Sequence, residues 1–129
     1  MSSYPSLPYL NGSLGTLTFS GHSAGCQFSN NMLVIHSETI KGAGLMECGP
    51  YSLDLSDYHA PGVTTDELVS RSLETLRSNN ANGSIDDTDN LRNSAIYIVG
   101  GTEDTTMPML GVEATDDVYT LMGVSKIDF

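Results

Sequence analysis

The chain has 129 residues, which is room for one domain, and 39% of them are hydrophobic, enough to bury a core. Sixteen Asp and Glu against five Lys and Arg give a net charge of −11, so the surface should repel nucleic acid and anionic lipid, and we expect neither as a partner. No apolar run approaches the roughly 20 residues that a membrane span requires.

The N-terminal part of the sequence predicts a strand followed at once by a helix. Residues 1–15 indicate irregular chain, because proline and glycine interrupt them repeatedly. Residues 16–21 are a β-branched and aromatic run that ends in glycine, which is typical of a strand. The apolar residues that follow take helical spacing, at Phe28, Met32 and Ile35.

The middle of the chain predicts a second strand, a long loop and a second helix. Residues 40–46 are rich in small residues and indicate a buried strand. Residues 47–62 show no hydrophobic periodicity and predict a long loop. Loops of this length often border a functional site. Thr64, three residues before Glu67, opens a helix as in a capping box, and this helix should end near residues 78–80.

The C-terminal part predicts two further strands around a third helix. Residues 95–99 form a continuous apolar run, typical of a parallel strand buried on both faces. Residues 112–124 have helical spacing, and residues 126–129 resemble the opening of another strand. Strands that alternate with helices predict an α/β fold, with a mostly parallel sheet of three to four strands flanked by helices.

The segment Gly21-His22-Ser23-Ala24-Gly25 fits G-x-S-x-G, the motif of a nucleophile elbow, and it lies between the first predicted strand and helix. The serine of such an elbow sits on a strained turn, so the flanking glycines are expected to avoid collisions between Cβ atoms and the backbone. Ser23 is therefore the candidate nucleophile. The helix start would aim the Ala24 N–H at an oxyanion on the substrate. The alternative is a glycine-rich turn with an incidental serine.

Asp104 is the candidate acid. It lies just beyond the carboxyl end of the predicted strand 95–99, the edge of a parallel sheet where sites form. Serine before acid is also the chain order of α/β hydrolases. The alternative is that Asp104 only caps a turn near Pro108, in which case Glu103 is the next carboxylate to consider.

A basic residue to activate Ser23 is harder to find, because none of the three histidines follows Asp104. We expect His22 to be structural, since its side chain should point away from the serine hydroxyl. His36 lies at the far end of the helix that follows Ser23, too far away to reach it, and a positive charge there would interact favourably with the helix C-terminus. His59, in the long loop, could approach the site.

Other chemistry receives little support from the sequence. Cys26 and Cys48 lack the paired spacing of a zinc site, and they leave open a disulfide beside the elbow or two buried thiols. The acidic segment 86–90 lacks the glycine and the terminal Glu of a calcium loop, which favours a solvated loop. We therefore expect no metal site.

Three segments of the chain resemble the polyhydroxybutyrate depolymerase group of the α/β hydrolases, in their order and in their approximate spacing. They are SGHSAGCQFSNNM (20–32), HSETIKGAGLMECGPY (36–51) and SIDDTDNLRNSAIYIVGGTEDTTMP (84–108), a little under half of the chain. The resemblance implies that Ser23 is the nucleophile, Asp104 the triad acid, and residues 49–81 a lid-like insertion near the substrate. The implied substrates are short-chain hydroxyalkanoate polyesters or related esters, and the resemblance implies no metal and no organic cofactor.

The resemblance also implies features that these 129 residues do not contain. Members of the group have further strands before the elbow and a catalytic histidine well after the acid, so we expect residues 1–129 to form a single partial α/β-hydrolase domain, as in an internal fragment or a truncated gene model. Such enzymes are usually secreted, whereas residues 1–13 lack the basic start and apolar centre of a signal peptide.

These observations lead to three hypotheses about function. The first is a serine ester hydrolase in which Ser23 forms an acyl-enzyme. The second is a catalytically inactive remnant of the same fold that lacks the triad histidine. The third is a small acidic interaction module in which the elbow motif occurs by chance.

Overall fold

The computed structural model describes Ser6, Pro8 and residues 12–129. The irregular segment predicted for residues 1–15 therefore lies largely outside the described residues. The elements that follow are a 3₁₀ turn (Leu14–Thr16), β1 (Thr18–His22), α1 (Ala24–Ile35), β2 (Gly42–Met46), α2 (Leu55–Tyr58), α3 (Thr65–Asn82), a 3₁₀ helix (Thr88–Asn93), β3 (Ala95–Val99), α4 (Met109–Leu121) and β4 (Lys126–Asp128).

The strands form one parallel sheet in the order β1-β2-β3-β4. Helix α1 packs on β1 and β2, α4 contacts β3 and β4, and α3 packs against α4. Because every crossover in such a sheet returns the chain to the same end, the carboxyl ends of β1, β2 and β3 lie side by side. The predicted α/β fold, with a parallel sheet of three to four strands, is confirmed.

Among the described residues, one face of this sheet is covered by helices and the other is not. On the covered face the apolar side chains of β2 and β3 are buried, at Ala43, Leu45, Ile96 and Ile98. On the opposite face of β3, Tyr97 is 50% exposed. The prediction that residues 95–99 are buried on both faces is therefore wrong for this chain, because the helices of the described residues pack against one side of the sheet.

Helix α1 is rotated relative to the face that its apolar spacing predicts. Phe28 is 57% exposed, whereas Ser29 and Asn30 are buried with Leu33 and Val34. The two polar residues are accommodated because the Ser29 hydroxyl donates to a backbone carbonyl at 2.8 Å and the Asn30 amide donates to the Gly49 carbonyl at 3.0 Å. Apolar periodicity cannot identify buried polar residues of this kind.

Helix boundaries differ from the predictions by a few residues. The Thr64 hydroxyl accepts a hydrogen bond from the Glu67 N–H, as the capping pattern predicts. Helix α3 continues past residues 78–80 and ends where Gly83 adopts φ 73°. Helix α4 begins three residues earlier than predicted, directly after Pro108.

A buried hydrogen-bonded pair links α1 to α4. The hydroxyl of Tyr119, which is 2% exposed, donates to Oδ1 of Asn30, which is fully buried. In this interior an acceptor that loses its donor is left without water to replace it.

We therefore expect Tyr119→Phe to lower the free energy of unfolding by about 1–3 kcal/mol, because it leaves the buried Asn30 oxygen without a hydrogen-bond donor. Urea unfolding followed by circular dichroism measures this difference. Tyr97→Phe is the matched control, since Tyr97 is half exposed and its change should stay within about 0.5 kcal/mol. Equal effects of the two substitutions would contradict the prediction.

Candidate active site

Ser23 lies at the end of β1 and caps α1 with φ 55° and ψ −121°, a backbone conformation that L-residues rarely adopt. Its N–H donates to the Met46 carbonyl at 2.9 Å, and its carbonyl accepts the Gln27 N–H at 3.0 Å. The strain, on the order of 1–3 kcal/mol, is thus held in place from β2 on one side and from α1 on the other. A strand, a strained serine and a helix follow one another as in a nucleophile elbow.

The two glycines of the motif do not play the same part. A Cβ on Gly21 would lie 2.2 Å from the Gly25 carbonyl carbon and oxygen and 2.7 Å from the Cys26 nitrogen. At Gly25 a Cβ would meet nothing within 4 Å. The expectation that the glycines avoid collisions is therefore confirmed at Gly21 and wrong at Gly25.

Ala24 is the first residue of α1 and is exposed. Its N–H belongs to the first turn of the helix, where N–H groups have no acceptor within the helix and the helix dipole is positive. The assignment of this group as an oxyanion donor remains a prediction.

Asp104 lies in the loop after β3. Its Oδ1 accepts the Met107 N–H at 3.0 Å and the Thr106 N–H at 2.7 Å. These two backbone bonds hold the pKa of Asp104 below its usual range, with smaller contributions from the Glu47 side chain and the charge of His22. Asp104 thus caps its own turn through Oδ1, which leaves Oδ2 outside the turn for another partner.

Ser23 and Asp104 line the same cleft, of about 640 Å³, at the carboxyl edge of the sheet. Phe28 and Leu55, both at least 50% exposed, form apolar walls, and Met107 adds a third apolar surface. The cleft therefore combines an apolar lining with a few polar groups, the usual composition of a small-molecule site.

One part of the predicted insertion 49–81 borders this cleft. Helix α2 contributes Leu55 and Tyr58, and it is held by a capping box at Asp54 and by a salt bridge between Arg71 of α3 and Asp57. Helix α3 instead packs against α4. The lid-like role of this segment remains a prediction.

Tyr58 is fixed between α1 and the chain after β2. Its ring lies where a Cβ on Gly49 would be, 2.2 Å from the nearest ring carbon, and its hydroxyl donates to Gln27 Oε1 at 3.3 Å. Burial raises the pKa of Tyr58 well above its ordinary value. The hydroxyl therefore stays protonated at neutral pH and acts as a neutral hydrogen-bond donor.

The three histidines take different positions. His22 is exposed and lines the cleft, and its charge contributes to the lowered pKa of Asp104. His36 caps the distant end of α1. His59 lies outside the cleft lining, and its Nε2 donates to the Thr106 carbonyl at 2.9 Å. Glu103 is exposed and also lies outside the lining.

Cys26 and Cys48 form a disulfide, with 5.7 Å between their Cα atoms. Of the two alternatives that the sequence left open, the disulfide is therefore confirmed and the pair of free thiols is not. It joins the first turns of α1 to the chain just after β2. Closing a loop of 22 residues stabilises the fold by about 3 kcal/mol in the chain-entropy account. The bridge therefore fixes the start of α1 relative to the end of β2.

Glu47 belongs to the site but was missed by sequence reasoning. It follows β2 directly, has φ 58°, and lines the cleft. Its Oε1 accepts the Gly101 N–H at 2.7 Å, and its Oε2 is buried without a hydrogen-bond partner among the described residues. The available signal was its position, since Glu47 follows β2 as Asp104 follows β3.

Among residues whose placement is described, no group of three or more His, Cys, Asp or Glu side chains is arranged to hold a metal ion. No helix in the same part of the chain has the length and apolar character needed to cross a membrane.

The parallel sheet and its helices constitute a partial α/β fold, and solved structures share it. PHB depolymerase from Penicillium funiculosum is similar with a TM-score of 0.76 and 20% identity, over 97% of this chain and 40% of that chain. A PHB depolymerase complexed with an R3HB trimer is similar with a TM-score of 0.76 and 19% identity, over 96% and 40%.

The resemblance predicted from the three sequence segments is therefore confirmed at the level of the fold. This chain spans 40% of the length of the two PHB depolymerase structures. No model of a protein family matches the sequence, and no curated protein does.

Proposed function

We propose that this chain carries the nucleophile and the acid of a serine ester hydrolase of the PHB depolymerase type. The observation that carries the proposal is the placement of Ser23, at a strained strand-to-helix turn, in the same cleft as Asp104. Both residues stand at the carboxyl ends of parallel strands, where sites of α/β folds form.

The proposed reaction is acyl transfer through Ser23. A base takes the hydroxyl proton as Oγ bonds to the ester carbonyl carbon, and the Ala24 N–H stabilises the oxyanion that forms. The tetrahedral intermediate expels the alcohol, which takes up the proton from the base, and water then releases the acid from Ser23. Asp104 orients the base and stabilises its positive charge.

The proposed substrates are hydroxyalkanoate esters. The apolar cleft walls suit an aliphatic ester, and the likeness to structures of PHB depolymerase, one of them with an R3HB trimer, favours a hydroxybutyrate chain. A neutral polyester also agrees with a net charge of −11, which would disfavour an anionic polymer as a substrate.

A fluorophosphonate probe tests this proposal, because it labels activated serines without any assumption about the substrate. We expect the purified chain to be labelled and Ser23→Ala to lose all labelling. Ser20→Ala is the matched control, since this exposed serine lies on the same strand outside the cleft. Loss of labelling in His22→Asn or His59→Asn would identify the base.

Hydrolysis of a 3-hydroxybutyrate trimer by protein that has not been treated with the probe would then test the substrate class. If a folded, soluble chain takes no label, the elbow is present without an activating base. That result would contradict the hydrolase proposal for this chain and favour the inactive remnant of the same fold.

A further inference from the structure

Helix α1 forms a wall of the cleft that continues well past the nucleophile. The cleft is lined by the cap residue Ser23 and, within the helix, by Ala24, Gln27, Phe28 and Asn31. Ser23, Gln27 and Asn31 are four residues apart, a spacing that places them on one face of the helix. At 1.5 Å per residue, Asn31 lies roughly 12 Å beyond Ser23 along α1.

The side-chain amide of Gln27 is engaged within the protein. The Pro50 carbonyl can only accept a hydrogen bond, so the Gln27 atom that faces it at 3.3 Å is Nε2. Nε2 also donates to Asn31 Oδ1 at 3.5 Å, and Oε1 accepts from the Tyr58 hydroxyl at 3.3 Å. Both hydrogens on Gln27 Nε2 therefore have acceptors already.

The side-chain amide of Asn31 is engaged on one side alone. The backbone N–H of Ser52 can only donate, so the Asn31 atom that faces it at 3.5 Å is Oδ1, the same oxygen that accepts from Gln27. Nδ2 is the other arm of this amide, and none of the described residues accepts a hydrogen bond from it. Asn31 therefore offers a pair of N–H donors on a side chain that lines the cleft.

The surroundings of this donor specify the kind of acceptor it can bind. Three carboxyl side chains line the same cleft, those of Glu47, Asp54 and Asp104, so a ligand with a negative charge would be repelled. A neutral ester carbonyl accepts a hydrogen bond without that repulsion. The exposed apolar side chains of Phe28 and Leu55 suit the alkyl groups between successive esters.

The distance between Ser23 and Asn31 fits a chain of repeated esters. A 3-hydroxyalkanoate unit adds four backbone bonds, which span about 5 Å in an extended chain at about 1.2 Å per bond. Two units therefore span about 10 Å, close to the roughly 12 Å along α1.

We infer that Asn31 forms a distal subsite for an oligoester: its Nδ2 donates to an ester carbonyl two units away from the ester that Ser23 attacks. The cleft would thus favour a chain of esters over a single ester. The effect of this subsite on turnover rests on the proposed function, whereas the binding of an oligoester at Asn31 does not.

Two substitutions remove the donor in different ways. Asn31→Asp keeps an oxygen for Ser52 and Gln27 but replaces the NH₂ group, and Asn31→Leu is similar in size and uncharged. The measurement is the ratio of kcat/KM for the methyl ester of a 3-hydroxybutyrate trimer to kcat/KM for methyl 3-hydroxybutyrate, which has a single carbonyl. This ratio should fall roughly 3- to 10-fold in Asn31→Leu, as expected for one hydrogen bond, and further in Asn31→Asp, whose charge repels a carbonyl oxygen.

Asn93→Asp is the matched control, because it makes the same chemical change at an exposed position outside the cleft. Its ratio should equal that of the wild type. A wild-type ratio in Asn31→Leu would overturn the inference, even if Asn31→Asp were impaired, because the charge alone would then account for the loss.

Binding without turnover gives a second test. In ¹⁵N-labelled Ser23→Ala protein, the trimer methyl ester should shift the side-chain NH₂ resonances of Asn31, and those of Asn93 should stay in place. Unmoved Asn31 resonances at a saturating trimer concentration would overturn the subsite. A wild-type chain that hydrolyses neither ester, together with shifted Asn31 resonances in Ser23→Ala, would contradict the hydrolase proposal and support the subsite.

Discussion

Replacing Gly21 with alanine is expected to destabilise the fold of this chain strongly. The new Cβ would lie 2.2 Å from the Gly25 carbonyl carbon and oxygen, and both are backbone atoms that no rotamer change can move. The strand and the helix would have to separate at the elbow. Overpacking of this kind costs about 3 kcal/mol or more, a large share of the 5–15 kcal/mol that stabilises a typical domain.

The measurement is thermal unfolding by circular dichroism, with an expected fall in Tm of more than about 10 °C or loss of soluble, folded protein. The matched control is Gly25→Ala, at the other glycine of the same motif. Its Cβ would enter open space, and alanine favours the helix, so Tm should be unchanged or slightly higher. A Gly21→Ala chain as stable as Gly25→Ala would show that the elbow geometry is wrong.

The second large effect is expected at Asp104. In Asp104→Asn the amide oxygen still accepts the Thr106 and Met107 N–H groups, so the turn and the fold should be kept. In the proposed mechanism this substitution removes the negative charge that orients and stabilises a protonated base. We expect the rate of probe labelling and of ester hydrolysis to fall about 10³- to 10⁴-fold, with little change in Tm.

Asp117→Asn, at an exposed position of α4, removes the same charge away from the cleft and should leave the rate unchanged. The lowered pKa of Asp104 also predicts how stability depends on pH. The stability linked to the ionised carboxylate is fully present above the ordinary carboxyl pKa, and it is lost as pH falls through the lowered pKa. A rate within tenfold of wild type in Asp104→Asn would show that Asp104 only caps its turn.

Local chemistry made the strand-to-helix turn at Ser23 and the element order predictable. A β-branched run ending in glycine and then helical spacing predicted β1 and α1 around Ser23, and the apolar run 95–99 placed Asp104 after β3. Such signals depend on steric and hydrogen-bonding preferences within a few residues, so the sequence alone predicts them. The predicted helix ends differ by a few residues from the observed ones, where Gly83 and Pro108 set the boundaries.

Long-range packing decided what the sequence left open. The pairing of Cys26 with Cys48, the burial of Asn30 and the contact between Glu47 and Gly101 join residues 19 to 54 positions apart. No local pattern encodes such a distance.

The sequence by itself therefore determined the strand, turn and helix that present Ser23, and the strand that precedes Asp104, because backbone sterics and apolar periodicity act locally. The tertiary structure decided which face of α1 is buried, which face of the sheet the helices of the described residues cover, and that Glu47 joins the cleft. These depend on which surfaces meet when the strands align in parallel, and only the folded chain brings the carboxyl ends of β1, β2 and β3 together.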